Sequence, residues 1–420
     1  MNSYSIIGVH LPDTGTTDLF VQDGRLVAQA PLGAQRIDAE GLIALPGLVD
    51  PHTHLREPGG ETSETIATGT AAAAHGGYTA VLAMPNTNPA IDTPAKADAL
   101  LRRAVLTGAR AQVVPIGAVT ADRDGQHLAD LAGMADFGVR VFSDDGTCVA
   151  DPSVMRAALH EVARFDGVIA EHAQDPWLAG PDACCSEDLM AARLGVAPWP
   201  AVAESVIVAR DVQLAQEAGA RLHICHVSTP ESVEILRWAK ARGVRVTAEV
   251  TPHHLLLDAQ WLAGGDTTFK VNPPLRPPAD LDVLRDALAQ GIIDMVGTDH
   301  APHCAADKAG DLASALPGVT GLEQALAVVM DTMLGTGRGT WSDVARWMSY
   351  APAALAHLSG QGRPLTPGEP ATLVLVDPTR RAVVDRRVTA SASQNNPYDG
   401  FELPDPVVLT MRAGMITYRR

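Results

Sequence analysis

The chain has 420 residues, of which 46% are hydrophobic and 19% are charged, and it carries a formal net charge of −17. This usage is that of an ordinary globular protein, and the length suits one large barrel with a smaller appended unit. The acidic balance, without any run of Lys or Arg, argues against nucleic acid or an anionic membrane surface as the main partner.

Short β-branched, apolar segments alternate along the chain with Ala-rich segments that are typical of helices. The predicted strands are residues 43–50, 79–85, 112–118, 139–143, 168–172, 221–226, 245–250 and 294–299. Two helix starts are marked by a capping residue followed by proline, Asp151-Pro152 and Thr229-Pro230. Eight successive strand and helix units predict an α/β protein whose parallel strands close into a (β/α)8 barrel of the TIM type.

The two ends of the chain have a different pattern. Residues 1–42 and 364–420 contain short alternating strands and the turn sequences Asp23-Gly24, Pro367-Gly368 and Asp399-Gly400, without a long helical pattern. We therefore predict that both termini together form a small β-sandwich domain. Residues 43–363 are predicted to form the barrel.

The chain shows no sign of export or of membrane insertion. Residues 1–10 lack the basic start and the apolar centre of a signal peptide, and no segment approaches the roughly 18 uninterrupted apolar residues of a membrane span. The five cysteines are odd in number and have no framework spacing, so we expect reduced thiols. Together these features predict a cytoplasmic protein without a membrane partner.

Acidic and imidazole side chains recur where the predicted strands end. They are Asp50, His52 and His54 at the first strand, Asp144 and Asp145 at the fourth, His172 at the fifth, His226 at the sixth and Asp299 at the eighth. The active sites of such barrels lie at this end of the strands. For a single histidine a hydrogen-bonded core position is the more frequent interpretation, but core histidines have no reason to gather at matching strand ends. The pattern predicts one convergent site.

The residue types at this site indicate metal binding. His52 and His54 are two positions apart, so at the end of a strand they project from the same face. Imidazole nitrogen and carboxylate oxygen suit Zn²⁺, although Mn²⁺ or Co²⁺ also accept them. The candidate ligands exceed what one tetrahedral ion takes. We therefore expect two divalent ions per chain that share a bridging carboxylate.

Five sequence segments carry a family resemblance. They are Asp50-Pro-His-Thr-His-Leu-Arg56-Glu-Pro-Gly59, Met84-Pro-Asn86-Thr, Phe142-Ser-Asp-Asp145-Gly, Lys270-Val-Asn272-Pro-Pro-Leu-Arg276 and Thr298-Asp-His-Ala-Pro-His303. Over residues 40–360 the chain resembles the type I dihydroorotases of the amidohydrolase superfamily, which are cyclic-amide hydrolases. The flanking β domain is similar to the one that these enzymes carry.

The resemblance implies a set of metal ligands. His52, His54 and Asp299 would hold one ion, His172 and His226 the second, and Asp145 would bridge them. Many relatives bridge with a carboxylated lysine, but residues 139–150 contain no lysine, which matches the subgroup with aspartate in that place. Asp144 remains an alternative, because neighbouring side chains at a strand end point to opposite faces.

The resemblance also implies a reaction and its substrate. Family members interconvert (S)-dihydroorotate and N-carbamoyl-L-aspartate, the third step of de novo pyrimidine biosynthesis. A hydroxide activated by the metals would attack the ring amide carbonyl, with the catalytic residue Asp299 as general acid and base. The expected partner is thus a small anionic substrate. The predicted substrate-binding residues are His54, Arg56, Asn86, Asn272, His303, Pro317 and Gly318, with the guanidinium of Arg56 matching a carboxylate.

Other functions compete with this interpretation. The chain could be a hydantoinase, a dihydropyrimidinase or an allantoinase, a non-catalytic partner subunit of aspartate transcarbamoylase, or a metal-free binding protein. Arg56 and the missing bridging lysine argue against the first group, and the complete ligand set argues against the non-catalytic subunit. Elemental analysis would test the metal-free binding protein. An active enzyme is still compatible with a homo-oligomer or with binding to aspartate transcarbamoylase. Residues 304–318 follow the last strand and form a candidate lid.

Overall fold

The computed structural model describes residues 3–187 and 189–420. The strands are β1 (Tyr4–Leu11), β2 (Gly15–Gln22), β3 (Arg25–Val27), β4 (Gln35–Asp38), β5 (Ile43–Pro46), β6 (Leu48–Thr53), β7 (Tyr78–Ala83), β8 (Gln112–Pro115), β9 (Val141–Phe142), β10 (Val168–Glu171), β11 (Ala183–Ser186), β12 (Ala197–Trp199), β13 (Arg221–Ile224), β14 (Val246–Val250), β15 (Met295–Val296), β16 (Leu373–Val376), β17 (Arg381–Val383), β18 (Glu402–Pro404), β19 (Val407–Arg412) and β20 (Met415–Arg419).

The α-helices are α1 (Ile66–His75), α2 (Pro94–Leu106), α3 (Leu131–Phe137), α4 (Pro152–Ala163), α5 (Leu189–Leu194), α6 (Val202–Ala218), α7 (Pro230–Ala241), α8 (Pro252–Leu256), α9 (Pro278–Ala289), α10 (Ala325–Val329), α11 (Trp341–Ala345) and α12 (Ala351–Leu355). Turns of 3-10 helix span Ala121–Arg123, Ala259–Gly264 and Thr267–Phe269, and π-helical turns span Met330–Leu334 and Arg346–Tyr350.

Eight parallel strands form the barrel. β6, β7 and β8 make one sheet, and β9, β10, β13, β14 and β15 make the next. A parallel bridge between Gly117 and Phe142 joins the two sheets on one side, and a bridge between Thr53 and His300 joins them on the other. The predicted (β/α)8 barrel is thereby confirmed, with every strand end of the same polarity on one face.

The first predicted strand is wrong in one respect. Residues 43–50 are not one strand, because Ile43–Pro46 pairs with β1 and β16 outside the barrel and only Leu48–Thr53 pairs with β7. Gly47 separates the two strands, and a Cβ atom there would lie 2.4 Å from Thr79 Oγ1. The predicted division between the two domains at residues 42 and 364 stays a prediction. By strand pairing, the terminal sheet includes residues as far as Pro46.

Side chains alternate between the two faces of the barrel strands. Ala80 and Leu82 point into the barrel, whereas Val81 between them joins the larger core under the helices. This is the two-residue period of a strand that is buried on both faces. Ala353 and Leu355 from α12 pack with the inward-pointing set. Apolar side chains thus fill the barrel interior, and the polar residues lie beyond them at the carboxyl ends of the strands.

The termini form one sheet of eight strands in the order β20-β19-β16-β5-β1-β2-β3, with β4 also paired to β1. Inner side chains from all its strands except β20, among them Ile6, Leu26 and Leu373, pack into a single buried cluster, so the sheet folds over its own core as the predicted small β-sandwich. The outward-pointing Val374 and Val376 belong instead to the main core. The sandwich is therefore packed against the barrel.

Both predicted helix starts are present. The Asp151 side chain accepts a hydrogen bond from the backbone of Ser153 at the start of α4, and the Thr229 side chain accepts one from Ser232 at the start of α7. Proline occupies the first turn of each helix, where no backbone donor is needed. Among the described residues, no helix is both long enough and apolar enough to cross a membrane.

Candidate functional site

Six of the eight polar residues that were predicted from the strand ends lie together at one face of the barrel, whereas Asp50 is hydrogen-bonded to Thr298. His52 belongs to β6 itself, and the remaining members follow β6, β9, β10, β13 and β15 within three residues of the strand end. Those members are His54, Asp145, His172, His226 and Asp299. All six side chains are at most 10% exposed. The barrel therefore brings residues that are up to 247 positions apart into one buried cluster.

The Asp145 carboxylate lies at the centre of this cluster. Its Oδ1 atom is 3.3 Å from His52 Nε2, and its Oδ2 atom is 3.4 Å from His54 Nε2. Oδ1 is also 3.7 Å from both His172 Nδ1 and His226 Nε2. Among the described residues, Asp145 is thus the carboxylate that both histidine pairs share, as a bridging ligand must be.

The neighbouring Asp144 has a different environment. Its Oδ1 atom accepts hydrogen bonds from the backbone nitrogens of Val119 at 2.8 Å and Thr120 at 3.1 Å, and its Oδ2 atom accepts one from the Thr120 hydroxyl. These contacts fasten the loop that follows β8. Asp144 is therefore placed for a structural role, and the geometry favours Asp145 of the two alternatives.

Asp299 adjoins the first histidine pair. Its Oδ1 atom lies 3.1 Å from His54 Nε2 and 3.5 Å from His52 Nε2. Burial alone would raise the pKa of the Asp299 carboxyl, but His52 and His54 outweigh burial and hold this pKa below its ordinary value. Asp299 is therefore a carboxylate base within reach of whatever binds between the histidines.

The residues fit two divalent ions. Within the described part of the chain, His52 Nε2 and Asp145 Oδ1 are buried and have no hydrogen-bond partner, which is costly unless a ligand satisfies them. Two groups have donor atoms within 4.8 Å of one another and share Asp145, namely His52, His54 and Asp145, and Asp145, His172 and His226. Three such donors that leave a position open are typical of a catalytic zinc site.

Two residues that the sequence did not reveal orient these histidines. Glu249, in β14, accepts from His52 Nδ1 at 2.6 Å and from His223 Nε2 at 3.2 Å. Gln174 Oε1 lies 2.9 Å from His172 Nε2. Such partners fix the ring orientation of metal ligands. Glu249 lies near the end of the seventh predicted strand, so the rule that identified the others could have found it, whereas nothing in the sequence marks Gln174.

The Glu249 carboxylate remains charged despite complete burial. Burial acts to raise its pKa, but the imidazoles of His52 and His223 outweigh burial, and the pKa falls to about 2. A charged carboxylate behind His52 keeps the proton on Nδ1 and leaves Nε2 free to bind a metal. Glu249, on the opposite side of the His52 ring, therefore determines that Nε2 is the nitrogen available to a metal.

A cavity of about 180 Å³ opens beside the cluster. The predicted substrate-binding residues all line it, and these are His54, Arg56, Asn86, Asn272, His303, Pro317 and Gly318. Asp145, His172, His226 and Asp299 form part of the same wall. The cavity thus joins the candidate metal ligands to the only arginine among its lining residues.

Arg56 is held in place at the edge of this cavity. Its Nε atom donates to the Pro302 carbonyl at 3.1 Å, and its Nη2 atom lies 3.4 Å from His303 Nε2. Burial lowers the pKa of the Arg56 guanidinium, and Asp299 and Asp145 oppose this effect. Burial and the Arg56 cation together lower the pKa of His303 to about 4, so His303 is neutral at pH 7. An anion that entered the cavity would meet one fixed positive charge.

The two asparagines are partly engaged with the histidines. Asn86 Oδ1 lies 3.0 Å from His54 Nδ1, and Asn272 Nδ2 donates to Gln174 Oε1 at 2.9 Å. Asn272 Oδ1 is buried without a hydrogen-bond partner in the described chain. Each asparagine therefore helps to orient a metal-site histidine and still lines the cavity.

The candidate lid, residues 304–318, covers one side of the cavity with Leu316, Pro317 and Gly318. Lys308 Nζ donates to the carbonyl oxygens of Leu316 at 2.9 Å, Gly318 at 3.0 Å and Lys270 at 3.2 Å. The segment is thus fastened to the chain that precedes Asn272. A lid movement stays a prediction.

Comparisons with known proteins agree with this geometry. Residues 41–232 match the family model described as dihydro-orotase-like. The chain is 49% identical to a dihydroorotase of Leifsonia xyli subsp. xyli over 99% of this chain and 96% of that one. It is 52% identical to a dihydroorotase of Streptomyces coelicolor over 92% and 90%. An L-hydantoinase (dihydropyrimidinase) structure from Arthrobacter aurescens is similar with a TM-score of 0.88 and 26% identity, covering 100% of this chain and 96% of that one.

The structural match extends over the barrel and the terminal sheet alike, since it leaves no part of this chain uncovered. The two sequence matches cover 99% and 92% of this chain, at about twice the identity. This level of identity over almost the whole chain, together with the Asp145-centred cluster, confirms the resemblance seen in the sequence. The chain belongs to the dihydroorotase family of cyclic amidohydrolases.

Proposed function

We propose that the protein catalyses the reversible interconversion of (S)-dihydroorotate and N-carbamoyl-L-aspartate. The observation that carries this proposal is the position of Arg56 in the same cavity as the Asp145-centred histidine cluster. The cluster suits hydrolysis of an amide, and a fixed guanidinium suits a substrate with a carboxylate. The names of the sequence relatives support the same substrate.

The residues would hold two ions, which we propose to be zinc. His52, His54 and Asp299 would bind one, His172 and His226 the other, and Asp145 would bridge them. When bound, two such ions polarise the ring carbonyl and lower the pKa of water, so that hydroxide is available near neutral pH. Imidazole and carboxylate donors without thiolate also accept Mn²⁺ or Co²⁺, so the native metal has to be measured.

Asp299 would carry the proton. In the hydrolytic direction, the oxygen of water bonds to the ring carbonyl carbon, and Asp299 takes the proton that the water loses. The carbon–nitrogen bond of the ring then breaks, and Asp299 gives this proton to the departing nitrogen. In the reverse direction the same group removes a proton from the ureido nitrogen as the ring closes. Its lowered pKa means only that the carboxyl group is deprotonated at the start, as a proton acceptor has to be.

The cavity walls would position the substrate. Arg56 would pair with the substrate carboxylate, and Asn86, Asn272 and neutral His303 would add hydrogen bonds. The backbone at Pro317 and Gly318 would meet the ring. Because the cavity of about 180 Å³ is small, a bound ring would displace most of the water from it.

A second candidate function has one observation in its favour. The L-hydantoinase structure covers the whole chain with a TM-score of 0.88. A hydantoin or a dihydropyrimidine has no carboxylate for Arg56, and residues 139–150 contain no lysine that could serve as a carboxylated bridge. We therefore rank this substrate class second.

The first experiment is ring opening of (S)-dihydroorotate by the purified protein, followed by ultraviolet absorbance, with the metal content measured on the same sample. Turnover with about two metal ions per chain would support the substrate and the two-ion site together. Faster opening of a 5-substituted hydantoin or of dihydrouracil would favour the second candidate. Bound metal without any turnover would favour a non-catalytic partner subunit, and absence of metal would contradict the proposal.

We further propose that the protein acts in the cytoplasm, as a homo-oligomer or together with aspartate transcarbamoylase. The side chains of the six proposed ligands lie close together, which supports the proposal that a partner would be associated with an active enzyme. Size-exclusion chromatography with light scattering tests self-association. Co-purification with the transferase, with dihydroorotase activity measured before and after its removal, tests the second partner.

A further inference from the structure

Asn395 belongs to the C-terminal part of the chain but is hydrogen-bonded at the mouth of the barrel. Its Nδ2 atom donates to the carbonyl oxygens of Gly318 at 3.0 Å and Ala301 at 3.1 Å. Its Oδ1 atom accepts from the His303 backbone nitrogen at 3.1 Å. The side chain is buried. One carboxamide thus connects the chain after β15 with the end of the candidate lid.

We propose that Asn395 is a positioning residue for substrate binding, which rests on the proposed function. It does not line the cavity, whereas the three residues to which its carboxamide is hydrogen-bonded all do. It holds the backbone of the residues that would contact the substrate, so that they are ordered before the substrate arrives. If the backbone is already ordered in the free enzyme, substrate binding does not have to supply the free energy for ordering it, and the affinity is higher.

The Gly318 peptide shows why such a clamp is needed. Gly318 has a φ of +138°, a conformation that few residues other than glycine adopt. Its backbone nitrogen donates to the Lys270 carbonyl at 2.8 Å, and its own carbonyl oxygen accepts from Asn395 and from Lys308. A glycine backbone has few steric limits, so Gly318 depends on these hydrogen bonds for its conformation. Without the Asn395 side chain, Gly318 would lose one of them.

Residues 389–396, which we call the C-terminal strap, carry Asn395 to this position. The strap lies between β17 and β18 in sequence and crosses to the barrel. Ser393 Oγ donates to the Ser63 carbonyl at 2.6 Å, and the Ala392 backbone nitrogen donates to Glu64 Oε1 at 3.0 Å. These contacts lie at the start of α1 and not at the cavity. The strap is therefore anchored without Asn395, which leaves its carboxamide a separate task.

The chain offers a matched control at the next position. Asn396 is also buried, but its Nδ2 atom donates to Gln324 Oε1 at 2.9 Å and its Oδ1 atom accepts from the Tyr398 backbone at 2.9 Å. Neither partner lines the cavity. The comparison of Asn395 with Asn396 thus separates a general loss of stability from a specific loss of positioning.

The kinetic test uses the metal-loaded variants N395A and N395D against N396A and N396D. Loss of the carboxamide donors should raise KM for dihydroorotate by about tenfold or more in N395A and N395D, with kcat changed less than about threefold. The Asn396 variants should keep KM within about twofold. N395D keeps the side-chain shape, so it serves if N395A does not fold. A KM within about twofold of wild type in a folded Asn395 variant would overturn the proposal.

A second measurement does not depend on turnover. The His303 amide donates to Asn395 Oδ1, so hydrogen exchange of residues 300–319 reports the clamp directly. Exchange there should be faster in N395A than in N396A. Each variant is measured at the same number of degrees below its own unfolding midpoint, so that a difference in global stability does not contribute. Equal exchange in the two variants would overturn the positioning role. If the wild type does not turn over dihydroorotate, the proposed function fails, but this comparison still decides the role of Asn395.

Discussion

The adjacent carboxylates of Asp144 and Asp145 face opposite sides of the chain after the fourth barrel strand. Asp145 lies within 3.7 Å of four histidine nitrogens, whereas Asp144 accepts hydrogen bonds from the backbone and side chain of the loop after β8. Successive side chains of an extended segment point to opposite sides. Two identical side chains thus have separate tasks.

The variants D145N and D144N should fail in different ways. D145N removes the carboxylate that both histidine pairs share, so we expect loss of at least one metal ion per chain and of nearly all turnover. D144N should keep both ions but lower the free energy of unfolding by about 1 to 3 kcal/mol, because a buried acceptor loses strength. Elemental analysis and urea unfolding measure the two effects. Full metal content and activity in D145N would contradict the bridging role.

Glu249 should tune the metal site through His52. E249Q loses the charge that holds the proton on His52 Nδ1, and we expect about 10- to 100-fold weaker metal binding. Competition with a chelator measures this affinity. E171Q is a matched control, because Glu171 is equally buried at a strand end but accepts from Cys148 and the Val149 backbone, not from an imidazole. Equal metal loss in both variants would indicate a general effect of replacing a buried carboxyl group at a strand end, since burial raises the pKa of Glu171 whereas that of Glu249 is lowered.

Arg56 should select for the substrate carboxylate. In R56M we expect KM for dihydroorotate to rise by about 10- to 100-fold, since hydrogen bonds to charged groups contribute about 1.5 to 3 kcal/mol. Any slow opening of dihydrouracil, which lacks the carboxylate, should be unchanged. R103M is the control, because Arg103 pairs with Glu57 outside the cavity. A parallel loss on both substrates would mean that Arg56 supports the site structure and not the carboxylate.

His254 should make stability depend on pH. Burial, aided by the nearby His226 and Arg276, lowers the His254 pKa to about 3, against about 6.5 in an unfolded chain. The unfolded state therefore takes up a proton below pH 6.5 that the native state refuses, and the free energy of unfolding falls as the pH drops from 6.5 towards 3. H254Q lacks this contribution. Urea unfolding between pH 7 and 4.5 measures the difference in the free energy of unfolding between wild type and H254Q. This difference should shrink as the pH falls, and a constant difference would contradict the predicted role of His254.

Gly318 should not tolerate a side chain. A Cβ atom there would lie 2.8 Å from Ala301 Cβ and 2.9 Å from the Ala301 carbonyl oxygen, so G318A must displace the cavity wall. We expect KM to rise by about tenfold or more. Gly368 also has a positive φ, of +96°, but open space around its Cβ position. G368A should thus lose stability without any change in KM, and a similar KM in both variants would show that displacement at Gly318 is harmless.

The sequence located most of the barrel because strands that are buried on both faces are apolar throughout and end where polar residues begin. The first strand was misjudged since Ile43–Pro46 and Leu48–Thr53 form one apolar run. Composition cannot tell which sheet a buried strand joins. Gly47 lies where the chain passes from one sheet to the other. A side chain is excluded there because Thr79 is too close, and this proximity is known only from the tertiary structure.

The same distinction applies to the candidate site. His52, His54, His172, His226 and Asp299 could be predicted from their strand-end positions, and the assignments to individual ions stay predictions. Glu249 could have been found by the same rule. Gln174 and Asn395 could not, because a carboxamide near a strand end or in a terminal segment is ordinary until its partners are known.

The sequence by itself determined the fold class, the strand ends and the residue types that gather there, because these depend on local periodicity and on the fixed polarity of a parallel barrel. The tertiary structure alone decided that Asp145 and not Asp144 faces the histidines, that Glu249 stands behind His52, and that Asn395 crosses from the C-terminal strap to the cavity. Those facts depend on distances between segments far apart in the chain, and such distances are set by packing.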